Sequence, residues 1–244
     1  MDLHNLLVFQ DLFNDDVFRD IEKTISRENL NKGAVAAKLI NKAEQLGLSG
    51  NIIRSYMIYT VAHQSNCVSY AVEKSGGKIG KSLYQAFCHD IELIEKLLLL
   101  KPSLLLDCDL LDDYEPTNIN QSTAFNLLVE NLDKAQTSKD KADVFINYYR
   151  IFGSGDMADY RAFRWDRDED SLVGIKHFET MKLQDLIGYE YQKQELLANT
   201  KAFVEDKPAN NVLLVGARGT GKSSGVKAVV NSFFDKGLRL VQLT

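Results

Sequence analysis

A chain of 244 residues with 45% apolar side chains, 26% charged side chains and only 3 prolines has an ordinary globular composition, not a disordered or collagen-like one. At about 150 residues per domain it suits one large domain or two modest ones. The formal charge of -5 is uneven, residues 1–150 carrying 16 Lys/Arg against 21 Asp/Glu and residues 151–244 carrying 13 of each; neither part has the cationic excess that phosphate-backbone binding exploits, so no strong nucleic-acid partner is expected.

The N-terminal MDLHNLLVFQDLFNDD lacks a basic start and is broken by Asp11, so it does not read as a signal peptide. Three cysteines, Cys67, Cys88 and Cys108, include no close pair, and a reducing, cytoplasmic setting is the expectation. From Leu3 to about Arg150 the pattern is helical. Ile52, Ile53, Tyr56, Met57, Thr60 and Val61 recur at steps of three and four, which places one apolar stripe on a helix. Ile91, Leu93, Ile94, Leu97, Leu98 and Leu100 build a second stripe. Pro102 should kink or end that helix, since it lacks the N–H and clashes with the preceding turn. The apolar run Leu97–Leu106 contains Lys101 and Pro102 and falls short of the ~20 residues of a membrane span. Residues 107–120 read as a loop; helices resume at 122–134, with Ser122 as a candidate cap, and at about 139–152. These pieces describe an N-terminal all-helical domain, residues 1–153, of six or seven helices.

Gly153–Asp156 marks a break. Residues 160–165 and 172–178 alternate and carry β-formers, predicting a hairpin whose solvated turn is DRDED, within a connector spanning 154–180. A helix is predicted from Glu190 to about Glu205. The apolar run Asn211–Val215 then reads as a strand buried on both faces. Gly216–Ser224, GARGTGKSS, follows at once. Lys222 to about Asp235 is helical, Gly237 supplies the stop, and Leu238–Leu243 is a second strand-like run.

Gly216, Gly221, Lys222 and Ser223 satisfy the pattern G-x-x-x-x-G-K-[ST] of a phosphate-cradling loop. Glycines permit torsions that a Cβ would obstruct, and successive N–H groups then face an anion at the positive end of the following helix. In that reading Lys222 adds a point charge to the β- and γ-phosphates, and Ser223 offers Mg²⁺ a hydroxyl. ATP with Mg is the expected ligand. The strand-loop-helix order is the context that this pattern requires. Upstream, Gly76–Ser82 (GGKIGKS) also ends in G-K-S, but Ser75 stands where the first glycine belongs and a helix precedes it, so it reads as a helix–helix connection. His63 and Cys67, four apart, are two ligands where a structural zinc wants four, and packing is the simpler role for Cys67. Ser82 and Thr123 have no local base signature, and Trp165 and the tyrosines lack the basic interleaving of a base-stacking platform.

The order of the C-terminal pieces resembles an AAA+ ATPase module. Leu186-Ile187-Gly188-Tyr189-Glu190 looks like the segment ahead of the phosphate loop, and the run from AFRWDRDED through VLLVGARGTGKSSGVKAVVNSFF is closer still to the bacterial ATPases grouped as domain of unknown function 815. The resemblance covers about residues 160–244. It implies an α + α/β architecture in which residues 181–244 are the N-terminal portion of an incomplete P-loop AAA+ αβ module. It implies adenine against Ile187 and Gly188, and phosphates on the backbone from Gly219 to Ser224, with Gly216, Ala217 and Arg218 completing the loop. Ala217 and Arg218 stand where the superfamily often has prolines, and Ser223 where it has threonine. Arg218 is expected to face solvent, with a neighbouring subunit as the alternative. The resemblance also implies a Walker B acidic pair, sensors and an arginine finger beyond Thr244, so no catalytic residue is assigned and this chain is expected to be part of a longer ATPase that binds nucleotide without turnover. In AAA+ sheets the first two strands are not neighbours, so Val212–Val215 and Leu238–Leu243 are both expected to lack partners. The functional expectation is an ATP-binding protein that couples hydrolysis to remodelling a partner, with self-association or a protein partner. The alternatives are a helical interaction module with a vestigial P-loop and a DNA-remodelling ATPase.

Overall fold

The computed structural model describes residues 2–28, 31–119 and 122–243. The chain divides into two compact units, Met1–Gly155 and Asp156–Thr244. Asn120, at the end of the expected loop, and Thr244 lie outside the described residues.

The first unit is helical: α1 (Asp16–Ile25), α2 (Lys32–Leu46), α3 (Ile52–His63), α4 (Cys67–Ser75), α5 (Lys81–Leu98), the short α6 (Pro102–Leu106), α7 (Thr123–Lys134) and α8 (Ser138–Phe152). Side-chain caps start them. Asp15, Asn31, Asn51, Asn66, Ser122 and Thr137 each accept from an orphan backbone N–H of the helix that follows. Asn66–Ser69 and Thr137–Asp140 are reciprocal capping boxes. The predicted stripe of α3 is wider than its spacing suggested: Ile52, Ile53, Ser55, Tyr56, Met57, Ile58, Val61 and Ala62 are all buried, because α2, α5 and α8 each pack against this helix. The helix at Leu97 ends at Leu98, ahead of the proline. Pro102 instead opens α6 at its first position, where a missing N–H costs nothing. The loop after α6 contains a 3₁₀ turn, Asp109–Leu111, and is tied down by a two-way backbone bridge between Gly50 and Tyr114.

One buried charge organises the N-terminal segment. Asp90 of α5 is fully buried, and its carboxylate accepts from the successive N–H groups of Leu7, Val8 and Phe9 at 2.7–3.0 Å. Those bonds satisfy both the buried carboxylate and a stretch of backbone that makes no helix.

The second unit begins with a helical turn, α9 (Asp156–Asp159), then β1 (Ala162–Asp166), β2 (Ser171–Gly174), α10 (Glu190–Val204), α11 (Lys222–Phe233) and β3 (Leu240–Gln242). β1 and β2 form the expected antiparallel hairpin, with Trp165 opposite Leu172. Asp166 stabilises the acidic turn by accepting from the N–H groups of Asp168 and Glu169. Gly174 is a packing requirement, since a Cβ there would run into the Tyr160 ring.

Two strand expectations need correction. β3 is not partnerless: it pairs in parallel with β1, with Phe163 opposite Val241, giving the order β2-β1-β3. The hairpin therefore supplies the central strand of a small mixed sheet. Residues 211–215 form no strand among the described residues, and they are not buried on two faces; Leu213 is 86% and Val215 84% exposed. A β-branched run becomes a strand only when a second backbone completes its hydrogen bonds, and this one has no such neighbour in the sheet described. The observed class is thus mostly helical with a small three-stranded sheet. Among the described residues, no helix is long and apolar enough to cross a membrane.

Candidate functional site

The glycine loop occupies residues 216–221 and runs into α11. Its approach is fixed from α10. Asn199 donates from Nδ2 to the Asn210 carbonyl at 2.8 Å and accepts from the Asn210 N–H at 2.9 Å, so the chain leaves Asn210 in a set direction. Gly219 (φ 87°) and Gly221 (φ 79°) adopt left-handed torsions, and Gly221 is the residue that caps α11. This is the region where a side chain is sterically penalised.

The turn at Gly221 sends the Lys222 side chain back over the loop. Its Nζ donates to the Gly216 carbonyl at 2.8 Å and to the Ala217 carbonyl at 2.6 Å, with Thr220 Oγ1 at 3.3 Å. The Thr220 hydroxyl donates to the Ala217 carbonyl at 2.9 Å. A cation is therefore held over the loop by the loop's own oxygens, beside the N-terminal end of a twelve-residue helix. Positive charge and helix dipole act on the same side, which favours an anion. Ser223 is the second residue of α11 and is exposed; Ser224 is partly covered; Arg218 is exposed.

The body beneath the loop is α11, which buries Gly225, Ala228, Val229, Val230 and Phe233. α10 packs on it, and Leu196 of α10 lies 4.0 Å from where a Gly225 Cβ would sit. Two residues that sequence reasoning overlooked tether the preceding segment. Asn231 donates from Nδ2 to the carbonyls of Glu179 and Met181, and Lys227 pairs with Glu179 at 2.6 Å. A polar residue on the α11 face adjoining an apolar stripe was the only available signal, and it did not name its partner.

Ile187 and Gly188 sit just before α10. Gly188 is left-handed at φ 82°, and Ile187 is 97% exposed. Lys193 holds this turn by donating to the Leu186 carbonyl at 2.6 Å and to Glu190 at 2.7 Å. The short 3₁₀ turn Leu183–Asp185 ahead of it packs on α11.

Elsewhere in this unit, Arg161 and Arg239 place their guanidinium carbons 4.4 and 4.0 Å from the Phe234 ring centre, and burial lowers the Arg161 pKa. The remaining sequence candidates lie in the helical unit. His63 directs Nδ1 at the Tyr59 carbonyl, 2.8 Å away, and stacks on the Tyr59 ring. Cys67 is exposed, not packed inside as expected, because it occupies the first position of α4. Gly76–Gly80 connects α4 to α5.

Residues 158–244 match the family described as "Protein of unknown function (DUF815)". The matched stretch contains the whole sheet, α10, the glycine loop and α11. It corresponds to the part of the chain in which the sequence resembles that family. No curated protein and no solved structure matches the chain.

Proposed function

We propose that Gly216–Ser224, with Ile187 and Gly188, bind ATP with Mg²⁺ and that the chain carries the nucleotide-binding part of an AAA+-type ATPase, which couples hydrolysis to remodelling a partner. The observation that carries this reading is the Lys222 ammonium, held by the Gly216 and Ala217 carbonyls beside a left-handed Gly221 at a helix N-terminus. An anion of several charges is the ligand such a cradle favours, and the family match over the same residues is compatible with it. The backbone from Gly219 to Ser224 would wrap the phosphates, Lys222 would neutralise the β- and γ-phosphates, and Ser223 would supply the hydroxyl to Mg²⁺. Bare Ile187 and the open backbone of Gly188 offer apolar surface that adenine would cover.

The test is a calorimetric titration of the intact chain with Mg-ATP, repeated on Lys222→Ala. Binding that is lost in the variant supports the site; unchanged affinity removes it. A second reading, a helical protein-interaction module with an idle loop, draws on Leu99, Leu104 and Leu110 of the first unit, which are 75%, 81% and 62% exposed. Limited proteolysis separates the two. Protection of residues 180–244 by Mg-ATP favours nucleotide binding, and a resistant helical unit indifferent to Mg-ATP favours the module.

A further inference from the structure

The Lys222 ammonium has three N–H donors, and the loop offers each an oxygen: the carbonyls of Gly216 and Ala217 and the hydroxyl of Thr220. The three contacts are unequal. The two carbonyl bonds, at 2.8 and 2.6 Å, are of full strength for a charged donor, whereas the Thr220 contact at 3.3 Å is long. Thr220 also has its own donor to place, and it gives that proton to Ala217 O at 2.9 Å. The Ala217 carbonyl thus accepts twice, once from each neighbour, using both lone pairs. The three groups form a closed triangle. Gly216 completes it from the other side, since a Cβ there would lie 3.1 Å from Thr220 Oγ1.

We infer that Thr220 is a positioning residue for Lys222, a role that rests on the proposed function for its consequence though not for its geometry. Its hydroxyl pins the Ala217 carbonyl in the orientation that receives the ammonium. It also occupies the third ammonium proton through the weakest of the three bonds. An arriving phosphate oxygen takes that proton and leaves both carbonyl bonds in place. The lysine is therefore aimed before the ligand arrives, and only one long hydrogen bond is exchanged on binding. The side chain acts through Lys222 and need not touch the nucleotide.

The experiment compares the full chain with Thr220→Val, which removes the hydroxyl at nearly constant shape, and with Thr220→Ser, which keeps it. In the ligand-free protein, amine acetylation by acetic anhydride is read at each lysine by peptide mass spectrometry. Thr220→Val is expected to raise the labelling of Lys222 about fivefold over the other lysines, the scale of one net hydrogen bond, and Thr220→Ser to leave it at the wild-type level. Mg-ATP affinity, measured by calorimetry, is expected to fall about fivefold in Thr220→Val and to be restored in Thr220→Ser. Equal Lys222 labelling in all three proteins overturns the inference, as does a Thr220→Ser variant that behaves like valine. If labelling rises in Thr220→Val while no protein binds Mg-ATP, the positioning role stands and the nucleotide reading fails.

Discussion

The chain writes Gly-Lys-Ser twice, at residues 80–82 and 221–223, and folds the two copies differently. Gly80 has φ -66° and ψ 148°, an extended conformation open to any residue, and it links one helix to the next. Gly221 has φ 79° and ψ 12°, and it turns an extended segment into a helix. The consequence falls on the lysine. Lys81 starts its helix exposed, while Lys222 folds back six residues to the Gly216 carbonyl. A three-residue identity therefore carries no chemistry by itself. What matters is the torsion of the glycine and what the backbone in front of it leaves for the lysine to bind.

The largest effect should come from the lysines themselves. Lys222→Ala removes the only side-chain cation that the loop carbonyls hold among the described contacts, and Mg-ATP affinity is expected to fall about 30-fold or more, equivalent to ~2 kcal/mol for lost charge-assisted hydrogen bonds. Lys81→Ala should leave that affinity unchanged. Comparable losses in both variants would break the distinction between the two copies.

The glycines test the same contrast through stability. Gly221→Ala forces a Cβ into left-handed space and is expected to lower stability by about 1–2 kcal/mol. Gly80→Ala meets open space at an ordinary torsion, and it should change stability by only about 0.5 kcal/mol or less, since the lower chain entropy offsets alanine's poorer fit at the start of α5. The first sequence has two demanding positions of its own, and Gly76, left-handed at φ 68° where α4 ends, is the first. Gly77 is left-handed at φ 105°, and a Cβ there would come within 2.6 Å of Arg150 Cδ. Thermal melts of Gly221→Ala, Gly80→Ala and Gly77→Ala should rank Gly80→Ala above both others. A Gly80→Ala protein as unstable as Gly221→Ala would contradict the assigned torsions.

These differences were partly legible. Ser75 in place of the first glycine, and the helical segment ahead of it, marked the upstream copy as a connection, and Ser122 was readable as a cap because caps act within three residues. The hairpin was readable for the same reason, since a short turn joins its strands. The failures are non-local. Val212–Val215 has the composition of a strand, but its ladder depends on a backbone elsewhere, and local pattern cannot show whether one arrives. The pairing of β3 with β1, Leu240 opposite Ala162, joins segments far apart in sequence that share no signature. Asp90 is likewise bonded non-locally, since its three backbone donors come from residues 7–9, more than eighty positions away. At the loop, the motif supplied the residues, whereas the bonds that aim Lys222 emerged only in three dimensions.

The unpaired run ahead of the loop gives a smaller prediction. Leu213 is 86% exposed, so Leu213→Lys should change stability by about 0.5 kcal/mol or less while reducing concentration-dependent association of the chain, measured by light scattering. An exposed apolar segment that forms no strand among the described residues is a template for pairing with another chain, and a charge there opposes it. The equivalent approach to the first copy is α4, whose backbone groups are met within the helix, and Glu73→Lys is not expected to alter association.

The smallest effect concerns pH and separates the stability of the first copy's surroundings from the chemistry proposed for the second. α5, which begins at Lys81, is joined to α8 through Glu95, which pairs with Lys141 and accepts from the Ser138 hydroxyl. Those hydrogen bonds, first from Lys141 and then from Ser138, hold the Glu95 carboxyl below its ordinary value of 4.5. A carboxyl whose folded pKa is depressed stabilises the fold fully above its unfolded pKa and loses that contribution as pH falls through the lowered folded value. Between neutral pH and about pH 5 the contribution is therefore constant, and it is withdrawn below that range. Glu95→Gln should lower stability by only about 0.3 kcal/mol at pH 7, because the pair is only partly covered from solvent. The same substitution should flatten the acid limb of a melting-temperature profile below about pH 5. Affinity for Mg-ATP at pH 7 should not change, since Glu95 belongs to the helical unit and makes no bond to the glycine loop among the described contacts. An acid limb as steep in Glu95→Gln as in the parent would assign the acid sensitivity to other carboxylates, with the Asp112 bonds to Ser103 the next to remove.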